Sequence, residues 1–466
     1  MQLTDHNSSI GLADSMLTKP KPIAATLALA TCALLGAVSP LAQAKSDSAD
    51  DWKFDTAILY YGETDRVSLV EGVISATKDF GDEHIFNGKV TFDGLTGASA
   101  TGAVPQDTVQ TYSRPSGNAG YAVAAGETPL DDTFKDSRVQ LNAQWTQPLV
   151  TDLRGSTGVH FSKEYDYLSL GVNGSLARDF NQKNTTLSVG LSYQFDSIDP
   201  VGGTPERLGS ISVLNSLSDY DLYDAYVDED RDDNSSGNAE FDAHENHYGS
   251  RDGAQDKDTI DVLFGLTQII NRRTIMQLNY GISVSDGYLN DPYKLVSVVN
   301  NQGTVQDTLF ESRPDSRTKH NVYWQTKYAM DSGVVDLSYR FATDDWDIQS
   351  HTLESRLRYN LSDNSYIQPH LRYYQQSAAE FYQPFLLSDQ PLPTYASADY
   401  RLGDMDAYTV GLKYGQKLDN GDAWAVRVEY YQQNPKNAGF AEPGQLAELD
   451  LYPSIKALIV QFNYQF

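Results

Sequence analysis

The chain has 466 residues, and Asp plus Glu outnumber Lys plus Arg by 63 to 35, a formal charge of −28. That balance argues against a nucleic-acid binder, which needs a basic face. Only one apolar stretch, near the N-terminus, approaches helix-spanning length, which argues against a bundle of membrane helices. Tyrosine is abundant, at 30 residues, and favours strands and membrane interfaces.

Residues 16–44, MLTKPKPIAATLALATCALLGAVSPLAQA, have the parts of an export signal. Lys19 and Lys21 form the positive segment, Ile23 to Val38 the apolar core, and Ala42-Gln43-Ala44 the small-residue cleavage site. A signal peptide over 1–44, cut after Ala44, is the expectation, with Met16 as a candidate true start because Asp5 and Asp14 precede it. Two other readings are a lipidated Cys32 after Leu29-Ala30-Thr31 and an uncleaved anchor helix. Cys32 is the chain's single cysteine, so removal of the signal would exclude disulfides, Cys-zinc sites and a Cys nucleophile together.

From residue 45 onward a two-residue alternation recurs almost everywhere. Trp52, Phe54, Thr56, Ile58 and Tyr60 share one face of the first segment, and Leu187, Val189, Leu191, Tyr193 and Phe195 share one face of another. Val335, Leu337, Tyr339 and Phe341 repeat the pattern, as do Trp424, Val426, Val428 and Tyr430. Sixteen strands are expected, near 51–61, 67–77, 84–93, 136–147, 155–164, 168–179, 185–197, 258–270, 274–285, 319–330, 333–343, 347–360, 365–376, 402–416, 423–433 and 455–466. Most exceed the five or six residues of a soluble strand and suit a tilted membrane-crossing one.

The connections alternate in kind. The long ones, near 94–135, 198–257, 286–318, 377–401 and 434–454, all fall in one set, and the other set is uniformly short. Short turns at one end and long loops at the other are the pattern of an outer-membrane barrel. The fold class expected over 45–466 is therefore all-β: a transmembrane, up-and-down antiparallel barrel of about sixteen strands. Trp52, Tyr60, Tyr61, Tyr339, Phe341, Trp346 and Tyr359 are its expected interfacial aromatics. The last strand alternates Leu458, Val460, Phe462, Tyr464 and Phe466 with less apolar positions and ends on an aromatic. It resembles the C-terminal signal that hands outer-membrane barrels to the assembly machinery.

Phe92-Asp93-Gly94-Leu95-Thr96-Gly97-Ala98-Ser99, then Pro115-Ser116-Gly117, then Pro129-Leu130-Asp131-Asp132-Thr133-Phe134-Lys135-Asp136-Ser137-Arg138 carry a more specific likeness. With the barrel-like remainder, they resemble an uncharacterised proteobacterial family known only as a domain of unknown function. The resemblance implies an outer-membrane barrel and supplies no substrate and no catalytic residues.

If the apolar faces meet lipid, the opposite faces of strands ten to fifteen point into the lumen. They carry Lys327, Arg340, Arg356, Arg358, His370, Arg372, Lys413 and Arg427, with Asp336, Glu354 and Glu429 as acidic companions. A basic wall inside a pore sets ion selectivity; the same side chains could instead pair with acidic groups of inward-folded loops. The loop 198–257 holds eleven acidic residues between Asp219 and Glu245. Asp228, Asp230, Asp232 and Asp233 form a candidate divalent-cation cluster, although the glycine and glutamate of a calcium loop are missing. His244 and His247 are a candidate transition-metal pair. The loop 94–135 is expected to fold inward as a constriction, or to serve as an outer contact surface.

No G-x-S-x-G or H-E-x-x-H motif occurs, and His84, His160, His320, His351 and His370 are scattered. The expectation is a non-enzymatic barrel without cofactor, a passive channel for small solutes. The alternative is a non-conducting scaffold holding a periplasmic or surface partner. Expected partners are outer-membrane lipid and lipopolysaccharide, the barrel assembly machinery and divalent cations, with no nucleic acid.

Overall fold

The computed structural model describes residues 52–113, 120–211 and 251–466. Sixteen antiparallel strands close into one barrel. In chain order they are β1 (Lys53–Glu63), β2 (Val67–Asp79), β3 (Ile85–Ala100), β4 (Leu130–Val150), β5 (Leu153–Lys163), β6 (Tyr167–Phe180), β7 (Thr185–Ile198) and β8 (Gln255–Asn271). There follow β9 (Thr274–Gly287), β10 (Ser316–Met330), β11 (Gly333–Asp344), β12 (Gln349–Asn360), β13 (Ser365–Gln376), β14 (Met405–Lys417), β15 (Ala423–Pro435) and β16 (Ile455–Gln465). Each pairs with its sequence neighbours, and β1 closes the ring on β16, with Ile58 opposite Phe462 and Tyr60 opposite Val460. Closure leaves no edge of unpaired backbone groups, the condition for strands to lie in hydrocarbon. No helix among the described residues is long and apolar enough to cross a membrane.

Register decides which side chains meet lipid. Residues opposite one another on paired strands point to the same side. The apolar set thus carries round the ring: Ile58 to Phe462, Phe462 to Val426, and Val335 to Leu357. These positions form the exterior, where Ile58 is 62% and Leu371 56% exposed. Exposure of large aliphatics on this scale suits a surface solvated by lipid. Aromatics bound the band on both sides. Tyr60, Tyr193, Tyr280, Tyr339, Tyr373, Tyr408 and Tyr430 lie toward the long-loop end; Trp52, Phe80, Phe180, Tyr328 and Tyr359 lie toward the short-turn end.

Two expected girdle residues are elsewhere. Tyr61 sits one residue out of phase with Tyr60, so it points inward and is 5% exposed, packed with Leu69, Ala457 and Ile459. Trp346 lies in the turn after β11, buried against Phe381, and donates its indole N–H to the Ser316 carbonyl at 3.0 Å.

All sixteen expected segments correspond to barrel strands, but β3 and β4 run farther than their side chains suggest. Their ladder continues from Asp93–Arg138 to Ala100–Leu130 with one irregularity between Gly97 and Ser99. Backbone groups make the ladder, so a Gly-, Ser- and Thr-rich stretch extends a strand when its partner does. The loop expected over 94–135 accordingly spans 101–129.

At this end the long connections fold together into a cap. Leu295–Val299 and Val305–Phe310 form a hairpin, and Leu386–Leu387 adds to it in parallel. The Leu295 N–H donates to the Thr101 carbonyl at 2.8 Å, the Ile211 N–H to Thr308 at 2.9 Å, and the Gln445 N–H to Gln302 at 2.9 Å. Five loops are thereby stitched to one small sheet. Ala103, Tyr112, Tyr121, Val123, Ile211, Leu295 and Phe310 make one of its apolar cores. The segment 101–129 therefore belongs to a roof shared by several loops. The expected signal peptide, the Asp228, Asp230, Asp232 and Asp233 cluster, and His244 and His247 lie outside the described residues.

Candidate functional site

The inner surface has two unlike halves. On β5 to β9 the inward positions include the small, uncharged Gly158, Gly171, Asn173, Ser175, Ser188, Gly190, Ser192, Gly281 and Ser283. Arg154, Asp179, Asp196, Lys257 and Asp261 lie on the same face, where Arg154 pairs with Asp179 and Lys257 with Asp196. On β10 to β15 they carry long charged side chains. β13 and β14 stand eight strands from β5 and β6 round a ring of sixteen, so the two walls face each other. Small residues leave space, and long cations reach into it.

All eight residues of the candidate basic wall fall on the inward register, through the pairings Lys327–Asp336, Arg340–Thr352, Arg356–His370, Arg358–Val334, Arg372–Glu354 and Lys413–Arg427. They are not equivalent. Lys327 Nζ lies 3.6 Å from Asp336. Arg340 lies over the Tyr323 ring, 5.4 Å from its centre. Arg356 pairs with Glu354. Arg427 bonds Gln461 and stands 3.6 Å from Glu429. Arg358 stacks on Tyr366 at 3.8 Å. Among the described residues, Arg358, Arg372 and Lys413 have no carboxylate in ion-pair contact.

His370 is the centre of the arrangement. Its Nε2 lies 2.8 Å from Glu354 Oε1 and its Nδ1 2.8 Å from Glu429 Oε1. Carboxylates accept only, so both bonds form together when the ring carries two protons. Glu429 is 1% exposed. Its side chain crosses the face of Gly411, where a Cβ would stand 2.5 Å from Glu429 Cγ. The absent side chain at 411 is what lets Glu429 reach His370.

The cap holds a second charged group that sequence reasoning missed. Asp291, Lys294, Glu311, Arg313, Asp399 and Arg401 come from two loops and interlock. Arg313 donates to Asp399 at 2.9 Å and lies 2.6 Å from Glu311, and Arg401 bridges Asp399 and Asp291. Burial alone raises a carboxyl, but Arg401, Lys294 and Arg313 outweigh it at Asp291 and hold it down to about 2. The same cations keep Asp399, also against burial, well below the ordinary carboxylate range. Glu311 goes the other way: burial raises it, Asp291 and Asp399 add to the rise, and Arg313 opposes it. No spacing in the sequence signals this network, because Asp291 and Arg401 are 110 residues apart and its two loops meet only when they fold.

A third cluster lies in the outer turn after β5 and at the outer part of β4. Carboxylate oxygens of Asp136, Glu164 and Asp166 lie within 4.8 Å of one another, close enough to hold a cation. Arg138 and Tyr293 already engage part of it, Arg138 at 3.9 Å from Glu164 and Tyr293 as a donor to Asp166. Burial first and Asp136 second push Glu164 up to about 7, against the pull of Arg138.

The expected assembly strand is the closing one. Leu458, Val460, Phe462, Tyr464 and Phe466 take the outward register, and Phe466 exchanges backbone bonds with Phe54 at 2.9 and 3.0 Å. Its ring stacks on Phe54 at 5.3 Å.

No curated protein matches the chain. Solved structures similar to it include a FadL homologue from Pseudomonas aeruginosa, at 11% identity over 90% of each chain with a TM-score of 0.38. A bacterial polysaccharide outer membrane secretin matches at 10% identity over 90% of this chain and 99% of that one, with a TM-score of 0.40. The siderophore receptor PirA from Acinetobacter baumannii matches at 9% identity over 84% of this chain, with a TM-score of 0.38; this chain covers 54% of the receptor's length, about half. A family profile described as protein of unknown function (DUF3570) matches residues 24–466, and the chain belongs to that family.

Proposed function

We propose that the protein is an outer-membrane barrel acting as a passive channel for small solutes, selective through its lumen charge and narrowed by its loops. One observation carries this reading: across the barrel from the basic wall stands an inner wall rich in glycine, serine and asparagine, whose charged members Arg154–Asp179 and Lys257–Asp196 pair with one another. A barrel that served only as a scaffold would gain nothing from small residues on one side of its lumen. The reading needs no cofactor and no catalytic step. It places the polar outer loops against lipopolysaccharide, where divalent cations are at hand, and leaves a periplasmic partner open to capture.

The cap favours a second reading, a non-conducting barrel that presents a surface to a partner. Five stitched loops with apolar cores are more structure than a simple constriction requires. Conductance of the refolded chain in a planar bilayer separates the two. The channel reading expects steady unitary openings. Silence from a barrel whose folding is confirmed by heat-dependent gel mobility would overturn it and leave the scaffold.

A further inference from the structure

The charges in the lumen are unevenly matched. On β12 to β15 the two carboxylates, Glu354 and Glu429, are both turned to His370, and Arg356 and Arg427 stand beside them. Arg358, Arg372 and Lys413 make no ion pair with a carboxylate among the described residues, although Asp55 on β1 acts electrostatically on Lys413 and Glu354 on Arg372. The guanidinium Nε atoms of Arg358 and Arg427 are buried and make no hydrogen bond there, and Arg427 as a whole is 9% exposed. Lys413, Arg427 and Arg356 line one pocket together with His370, Glu429, Gln368, Gln461 and Asn463, so three basic side chains there stand against one carboxylate that His370 already engages. Gln368, Gln461 and Asn463 are amides, which can donate N–H groups alongside the cations. Cations held this close repel one another, and that cost falls when an anion enters. Guanidinium groups with free N–H edges suit the paired oxygens of carboxylates and phosphates.

We infer that this pocket is a binding site for small oxyanions, carboxylates or phosphates, and that these are the solute class the lumen admits. The inference rests on the channel reading for its transport part; the site itself does not depend on conduction. Counter-charge from inward loops is the competing account of such a wall. Among the described residues, the cap's Asp291, Glu311 and Asp399 are already engaged by Arg313 and Arg401 and are not available to the wall.

The test uses the detergent-refolded chain without its signal, at low ionic strength, with inorganic phosphate and succinate as probes. Equilibrium dialysis is expected to give saturable binding of each and competition between them. Lys413→Gln and Arg427→Gln are each expected to weaken it at least tenfold, whereas Arg273→Gln, in a short turn far from the pocket, leaves it unchanged. Should Arg427→Gln fail to fold, Arg356→Gln, also on the pocket wall, takes its place. In parallel, the reversal potential across a potassium chloride gradient is expected to favour chloride and to shift toward zero in Lys413→Gln. Absence of saturable binding to folded wild-type barrel, or binding indifferent to these substitutions, overturns the site. Binding without conductance keeps the site and removes the transport role. Conductance that favours potassium, with no binding, removes the site and keeps the channel.

Discussion

At His370 one side chain ties three strands together, because Glu354 on β12 and Glu429 on β15 both take N–H groups from the ring on β13. Removing one member of a buried charged group leaves the others under-satisfied, a loss of about 3 kcal/mol. His370→Ala should therefore lower the unfolding free energy in urea by about that amount, and Gly411→Ala, which crowds Glu429 off its path, should act in the same direction by less. An unchanged urea midpoint in both would show that the triad contributes nothing to stability. Glu164 gives a prediction of opposite kind. Its folded pKa, about 7, lies above its ordinary 4.5, so its contribution is complete below pH 4.5 and is lost as pH rises through about 7. Glu164→Gln cannot ionise, so its melting temperature should match wild type at pH 5 and exceed it at pH 8.5. That His370 faces inward was legible from alternation alone. That it stands between two carboxylates was not, because the pairing of β13 with β14 and the bare backbone at Gly411 are properties of neighbours.

At the scale of elements, strands and loops obey different rules. A strand in lipid must satisfy its backbone through a neighbour and show apolar side chains at every second position, so its sequence is tightly constrained. The cap loops carry no such period, and their order comes from cross-loop bonds and from the Asp291–Arg401–Asp399–Arg313–Glu311 network. Asp291 and Asp399 have folded pKa values below the ordinary 3.8, so their contribution is present above that value and is lost as pH falls toward about 2. Glu311, shifted upward, acts with the opposite sign and does not add to the acid loss. Resistance of the cap to an acid-active protease should accordingly fall between about pH 4 and pH 2 while the barrel stays intact. Persistent resistance at pH 2 would mean that the apolar cores alone hold the loops. The closing strand makes its own prediction. Phe466 completes the β1–β16 seam on the outside, so Phe466→Ala should reduce the folded barrel recovered from outer membranes several-fold.

At the scale of the whole molecule, the channel reading puts the roof and the lumen in series, so that the roof would set how readily the lumen is reached. Ala100 and Leu130 are directly paired, so residues 101–129 can be replaced by a two-residue Asn-Gly turn without disturbing the barrel ladder. That replacement removes Thr101, Ala103, Val104 and Tyr112 from the cap and should raise unitary conductance; unchanged conductance would show that the solute path does not run beneath this loop.

The sequence by itself determined the barrel, its strand count, the end that bears the long loops and the inward register of the basic wall. Each follows from a local rule: a period of two, a length fit to a bilayer, and the turns between. It also carried the family likeness. Only the tertiary structure decided how far β3 and β4 extend, that Tyr61 and Trp346 leave the girdle, and that five loops share one roof. It alone decided which cations are matched. Those outcomes depend on contacts between residues far apart in the chain. A loop has no period to read, and an ion pair depends on distances that close only when the ring does.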